Sequence, residues 1–420
     1  MYDAAVIGGG PAGATAATVL ARRGLRVAVL ERERFPRYHI GESLLPFNQD
    51  LFDRLGLSGL LRDQKFTEKF GAQFVSNDGS VERSFDFLTG GLGADAVAYE
   101  VERETFDDLL LRHAERSGAE VREGATVLDV DGGGPVRLRV RTPGAEETVE
   151  ARWVVDASGQ GSLLAKLHGL RENHPSHQKL AVFTRYRGAL RRPGRRAGNI
   201  DIVLGPGGWF WLIPLREDVL SVGFVASTAD WRASGLSAED FYDRAVASSP
   251  YVMTRLAPAR RLDRTWTASN YSYRSTRLSG PGFVLVGDAA EFLDPVFSTG
   301  VLLAMRSGER AAEDLARALR GGRGVSPADF SGYERTFRRW TRHHFGMIEA
   351  YYEPGFAPVF LSPRDWLGVV RAVIRLLGGE SEPGLLTRLR LRLFYAICRL
   401  NRRLGFIKDP RPEGAAVPHA

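Results

Sequence analysis

The chain is nearly without cysteine: Cys398 stands alone in 420 residues. One thiol excludes an internal disulfide, and it excludes the cysteine pair of a dithiol redox enzyme. With nothing requiring an oxidising compartment, a cytoplasmic location is expected. Long apolar runs are absent as well. None reaches the roughly 20 residues of a membrane-spanning helix, so no integral membrane segment is expected. The first residues lack the charged and apolar regions of a signal peptide. His174, His177, His343 and His344 have no third ligand at useful spacing, so they are expected at the surface and no metal site is expected. Lysine is scarce too, five of 57 basic residues, which makes each lysine stand out.

What is present begins with an ordinary globular composition, 44% hydrophobic and 25% charged, at a length that allows two to three domains. The net charge of +7 is concentrated: residues 386–408 hold six arginines and Lys408 with no acid, and the rest of the chain is neutral. In that segment Leu386, Leu389, Leu393, Ile397, Leu400 and Leu404 recur at helical spacing, with arginines on the other faces. Three uses are open. The helix could pack on the core with solvated arginines, dock an acidic acyl or peptidyl carrier protein, or lie on an anionic membrane. Nucleic acid is not expected, because no recognised module is present and the aromatics do not interleave with a basic groove.

Residues 3–7 predict a buried strand. Gly8-Gly9-Gly10-Pro11-Ala12-Gly13 then opens a helix through Arg23, and residues 26–30 form a second strand closed by Glu31. This βαβ unit has the chemistry of a dinucleotide site. Gly8, Gly10 and Gly13 permit a tight turn and the close approach of a diphosphate. Pro11 and Ala12 begin the helix, whose free N–H groups and dipole favour negative charge. Glu31 is placed to accept from ribose hydroxyls. Further along, a helix is expected over 104–117 and a parallel strand over 153–156. Residues 180–230 alternate like antiparallel strands, which should form a separate sheet roofing the substrate. A strand over 283–286 and a helix over about 301–319 follow, and the pattern from 325 onward is helical, interrupted at Pro354, Pro358, Pro363 and Pro383.

Residues 282–290, with Gly287-Asp288, resemble the second FAD motif of the class A flavin monooxygenases and their relatives, where the Gly-Asp pair meets the diphosphate and ribityl chain. Val101-Glu102-Arg103-Glu104-Thr105-Phe106-Asp107 and Asp156-Ala157-Ser158-Gly159 sit where that superfamily places other FAD contacts, Arg103 among them. No second Gly-rich βαβ unit serves NAD(P)H, since the glycines at 132–134, 205–208 and 321–324 lack a strand-to-helix context. Reduced flavin from a separate flavin reductase is therefore the expected reductant.

Three segments together resemble the flavin-dependent halogenases. Gly41-Glu42-Ser43-Leu44-Leu45-Pro46 resembles their Gly-Glu-Ser segment near the flavin ring, and Lys69 falls at the position of their lysine. Trp209-Phe210-Trp211-Leu212-Ile213-Pro214 resembles their Trp-x-Trp-x-Ile-Pro signature, whose indoles stand between flavin and substrate. In the stretch Asp294 to Gly300, the backbone of Ser298, Thr299 and Gly300 matches the family's halide site, with Gly300 and Val301 also against the cofactor. The resemblance implies a reaction in which FADH2 and O2 give a flavin hydroperoxide and chloride or bromide is oxidised on it to hypohalous acid. Lys69 then delivers the halogen to an electron-rich aromatic, while Trp209, Trp211 and Pro214 bar that substrate from the flavin. A lysine amine can be tuned by burial and carries movable donors, which a guanidinium does less well.

Tryptophan halogenases carry a glutamate just before the Ser-Thr-Gly; here Phe297 stands there and is expected in the substrate pocket. The resemblance, covering about residues 1–345, is closer to phenol- and pyrrole-type enzymes, several of which act on substrates tethered to a carrier protein. Two alternatives stay open, an FAD-dependent aromatic hydroxylase and a geranylgeranyl-reductase-like ene reductase, whose Tyr-x-Trp-x-Phe-Pro motif differs at Trp209 and Ile213. The expected fold class is α/β, with a glutathione-reductase-type, Rossmann-like FAD domain over 1–178 and 270–345. An antiparallel substrate sheet is expected over 179–269, a helical region over 346–408 and a disordered tail over 409–420.

Overall fold

The computed structural model describes residues 1–411 except 94–95, 175–176, 270, 323, 363 and 366. Pro363 and the expected tail from 412 onward lie outside the described residues. The first strand, Ala4–Ile7, is buried at all four positions, as a parallel strand covered on both faces must be. It pairs in parallel with Val27–Glu31 on one side and Val154–Asp156 on the other. The six-stranded sheet is completed by Glu120–Glu123 at one edge and by Phe283–Leu285 and the short antiparallel Ser279–Gly280 at the other. Helix Pro11–Arg22 follows the first strand and crosses the long helix Gly300–Arg320 closely. A Cβ on Gly308 would sit 2.3 Å from the Ala12 carbonyl oxygen, so the two backbones touch there.

The second sheet has eight strands. Lys179–Arg187, Ile200–Gly205, Gly208–Pro214 and Val219–Ser227 form its centre. It is not confined to 179–269: Gly71–Ser76 and Glu82–Asp86 extend it, the former paired in parallel with Ile200–Gly205. Strand alternation divides its side chains. Phe183, Trp209, Trp211 and Ile213 join the core shared with the first domain, whereas Val182, Phe210, Leu212 and Phe224 meet helices Ala238–Ala247 and Pro250–Leu256 on the other face.

The C-terminal region is helical: Ser331–Tyr351, Phe356–Leu361, Val369–Leu377 and Leu385–Leu404. The last of these packs inward through Leu391, Phe394, Cys398 and Asn401; of its periodic apolar residues Leu386, Leu389, Leu400 and Leu404 are exposed, while Leu393 and Ile397 are half-buried against the core. Arg411, at the head of the expected tail, is buried and paired with Asp409 at 2.6 Å. The expectation of surface histidines is corrected. His177 and His344 are buried, and burial lowers them to about 4 and about 3. His177 faces His174 at 3.1 Å between Nδ1 atoms, and His344 lies 3.2 Å from the Ser381 hydroxyl. Their apolar neighbours, not their sequence spacing, decide this. Phe345 lies 4.8 and 5.6 Å from the His174 and His177 rings.

Candidate functional site

The glycine loop sits where the first strand meets its helix. Gly8 has φ of +99°, and a Cβ there would come 2.5 Å from the Ala157 carbonyl oxygen; one on Gly13 would come 1.9 Å from the Gly8 oxygen. Only hydrogen fits at either place, and the loop is thereby pressed against Asp156-Ala157-Ser158-Gly159. Asp156 holds that second turn by accepting from the Ser158 and Leu164 amides at 2.9 and 2.8 Å. Glu31 reaches back to the glycine loop, accepting from the Gly9 amide at 2.6 Å and from the Glu33 amide at 2.8 Å. A carboxylate has about four acceptor sites, so capacity remains for ribose hydroxyls. Gly287 lies against the start of the same helix, where its Cβ would be 2.9 Å from the Ala12 Cβ.

Arg103 closes its guanidinium fork on Asp107 at 2.7 and 2.8 Å and donates to the carbonyls of Ile40 and Gly41 at 2.8 and 3.2 Å. Gly41, at φ +104°, makes room for it, since a Cβ would be 2.9 Å from Arg103 Nη1. Arg37 shares Asp107 at 2.8 Å and reaches to 3.7 Å of where a Gly10 Cβ would stand. A guanidinium beside the glycine loop was not read from the sequence; no motif marks Arg37. Burial pushes Asp288 up to about 7 against the pull of Arg103. A glycine loop at a helix N-terminus, two arginines and an under-solvated carboxyl opposite fit the diphosphate and ribityl chain of FAD.

The Gly-Glu-Ser segment lies beside residues 99–101, with Leu44 N–H to the Tyr99 carbonyl at 2.9 Å and Val101 N–H to that of Glu42 at 2.8 Å. This register sets Ser43 opposite Glu100. Lys69 ends the strand Thr67–Lys69, which pairs with Ala98–Glu100. Its side chain is 2% exposed. The amine donates to Ser43 Oγ at 2.7 Å and to the Leu44 carbonyl at 3.1 Å, and stands 3.9 Å from Glu100 Oε1. Among the described residues neither carboxylate oxygen of Glu100 has a hydrogen-bond partner, and neither does Oε2 of Glu42. Burial lowers Lys69, while the Glu100 charge opposes that shift. Burial raises Glu100 to about 8 against the Lys69 charge, and raises Glu42 to about 7. A buried amine beside two reluctant carboxyls is an arrangement suited to holding and moving a proton.

A small, mostly apolar cavity joins this amine to the loop before the long helix. Lys69, Phe74, Phe85 and Phe87 line one side, and Val296, Phe297 and Ser298 the other. Phe297 thus lies in the cavity wall, with Ser298 beside it. Ser298 is left-handed at φ +57°, Thr299 caps the helix, and Gly300–Arg320 runs away from the cavity with Val301 buried in its first turn. The first amides of a helix have no intrahelical acceptor, and the dipole favours an anion there.

Trp209 and Trp211 are both buried, with ring centroids 6.2 Å apart. Trp211 donates to Ser221 Oγ at 3.3 Å, and Gly223 leaves it space, since a Cβ would fall 2.1 Å from the indole. Ile202, which faces Trp211 across the strands, lines the cavity, whereas neither indole does. Pro214 ends their strand opposite Leu220. Trp209 Nε1 donates to the Tyr352 hydroxyl at 3.1 Å, and that hydroxyl donates to Asp294 Oδ2 at 2.9 Å. Asp294 also accepts from the Val296 amide at 3.0 Å, so Tyr352 ties the indole strand to the loop carrying Ser298. Tyr352 lies beyond the stretch resembling the halogenases, and Glu100 inside it carries no motif of its own. Both went unread in the sequence.

The FAD binding domain family matches residues 1–342. The chain is 32% identical over 409 residues to the 1H-pyrrole-2-carbonyl-(peptidyl-carrier protein) chlorinase of Pseudomonas fluorescens, covering 91% of this chain and 90% of that protein. Among solved structures, a flavoprotein/dehydrogenase from Cytophaga hutchinsonii superposes with a TM-score of 0.87 at 27% identity, over 96% of this chain and 99% of that one. The myxobacterial chondrochloren halogenase superposes with a TM-score of 0.78 at 32% identity, over 100% of this chain and 99% of that one.

Proposed function

Since this chain belongs to the flavin-dependent halogenases, we propose that it chlorinates or brominates an electron-rich phenolic or pyrrolic ring in the cavity shared by Lys69 and Ser298. That shared cavity carries the proposal. Bound FADH2, delivered by a separate flavin reductase, supplies with O2 the oxidant that turns halide into hypohalous acid. Gly8, Gly10, Pro11, Ala12, Gly13 and Glu31 would hold the adenosine and diphosphate end. Gly41, Glu42, Ser43, Arg103, Gly287, Asp288, Gly300 and Val301 would hold the rest. The amides at Ser298, Thr299 and Gly300 would seat the halide.

Lys69 acts in its ammonium form. Two of its protons are spent on Ser43 and Leu44, which leaves the third to donate to hypohalous acid and polarise the halogen toward the ring. Above about pH 8, where Glu100 ionises, its charge at 3.9 Å opposes the burial that would strip the amine of its proton. Trp209, Trp211 and Pro214 form the partition that excludes the organic substrate from the flavin. The lining selects by apolarity: Phe74, Phe85, Phe87 and Phe297 would move apart to flank one aromatic ring, and among the described residues Lys69 is the one charged side chain there. A zwitterionic amino acid would find no counter-charge for its ammonium there.

The test supplies a flavin reductase, O2, and chloride or bromide with phenol, indole and pyrrole substrates, the pyrrole both free and as a carrier-protein thioester. Halogenated phenol or pyrrole is expected. Hydroxylated product without halogen, or alkene reduction without O2, would replace the proposal with a hydroxylase or an ene reductase.

A further inference from the structure

We propose that the outer face of helix Leu385–Leu404 docks this protein onto an anionic lipid surface. The helix has two apolar sides. One is buried through Leu391, Phe394 and Cys398. The other lies roughly a third of a turn round: at 100° per residue Leu386, Leu389, Leu393, Ile397, Leu400 and Leu404 fall in one stripe, in which Leu393 and Ile397 are half-buried against the core and four are exposed by 59%, 50%, 48% and 68% (Leu386, Leu389, Leu400, Leu404). Leu367 lengthens the patch sideways. It is 80% exposed, and its carbonyl is held by Arg390 at 3.0 Å.

Along one edge of the stripe run Arg388, Arg392, Arg399 and Arg403, all exposed. Among the described residues none of the four makes an ion pair, whereas neighbouring Arg402 pairs with Glu353. The helix carries no acid, and its segment accounts for the whole +7 of the chain. A ridge of aliphatic side chains about 30 Å long beside a row of unpaired cations is the pattern of a helix lying in a membrane interface.

The chemistry of the stripe favours lipid over other covers. A second copy would set arginine row against arginine row, which like charge opposes. A protein partner is typically anchored by aromatic rings seated in pockets, together with arginine, and this stripe holds no aromatic side chain. A fluid apolar phase needs no such anchors. The placement has a use, because helix Val369–Leu377 packs against this one and contributes Ile374 and Leu377 to the cavity lining. Docking would bring the cavity near the bilayer, where apolar aromatics concentrate.

The full-length protein is sedimented with vesicles of phosphatidylglycerol mixed with phosphatidylcholine, and with phosphatidylcholine alone. It is expected to pellet with the mixed vesicles only and to be released by high salt. Each of Arg392→Gln and Arg399→Gln should weaken partition about fivefold. Leu389→Gln with Leu400→Gln should abolish it while flavin absorbance and circular dichroism stay unchanged, both sites being exposed. Failure of the wild type to pellet at low salt would overturn the proposal, as would unchanged pelleting of the double leucine variant. So would a wild-type dimer that the leucine changes split without any vesicle binding, or capture by an acidic carrier protein in place of vesicles. None of these readouts depends on halogenation.

Discussion

Replacing Glu100 with glutamine removes one charge and almost no volume, and it tests how Lys69 stays protonated. The amine and Glu100 Oε1 are 3.9 Å apart, at 2% and 0% side-chain exposure. At an effective dielectric of about 20, the attraction at that distance is on the order of 4 kcal/mol, or about three pKa units. Burial lowers Lys69 and the Glu100 charge raises it, so deleting the charge leaves the desolvation unopposed and the amine sheds its proton at lower pH. Glu42, the other buried carboxyl close by, is present in both proteins, and its effect cancels in the comparison. The assay is kcat/KM for halogenation against pH, with saturating reductase and halide and with reduced-flavin consumption followed in parallel. Glu100→Gln should move the alkaline limb to lower pH by about one to three units, leaving flavin consumption unchanged. Glu100→Asp should restore part of the shift. An alkaline limb that stays in place, or moves to higher pH, would refute both the ammonium role of Lys69 and the positioning role of Glu100.

Three other changes follow from the same geometry. Gly13→Ala would drive a methyl group into the Gly8 carbonyl at 1.9 Å, so the purified protein should lose bound flavin, read from its absorbance. Gly223→Ala overlaps the Trp211 indole and should cost about 1–3 kcal/mol, seen as a lower Tm with the fold retained. Tyr352→Phe leaves the Trp209 N–H unpaired and removes one donor from Asp294, at a cost of about 1–3 kcal/mol. Because Asp294 supports the loop bearing Ser298, its KM for halide should rise while KM for the aromatic stays the same.

The βαβ unit was legible because strand, glycine loop, helix and closing acid are consecutive and each has a local cause; Pro11–Arg22 and Val27–Glu31 lie within about a residue of their expected bounds. Lys69 and the tryptophan strand were legible as motifs. Their partners were not. Glu100 meets Lys69 because Thr67–Lys69 and Ala98–Glu100, far apart in the chain, pair as antiparallel strands, and Tyr352 reaches Trp209 across 143 positions. The second sheet took in Gly71–Ser76, since a parallel pairing with Ile200–Gly205 joins segments far apart in the chain. The last helix shows the limit of periodicity. Its regular leucines mark an apolar stripe, but periodicity says nothing of whether that stripe faces the core or the outside, and here an irregular second side, with Phe394 and Cys398, faces the core.

The central claim is that the buried ammonium of Lys69 polarises the hypohalous acid that halogenates the ring. It is tested most directly by measuring halogenated product formed per reduced flavin consumed, for the wild type and for Lys69→Ala. The account predicts flavin consumption near the wild-type rate with product down at least about a hundredfold. Product formed at the wild-type ratio would contradict it.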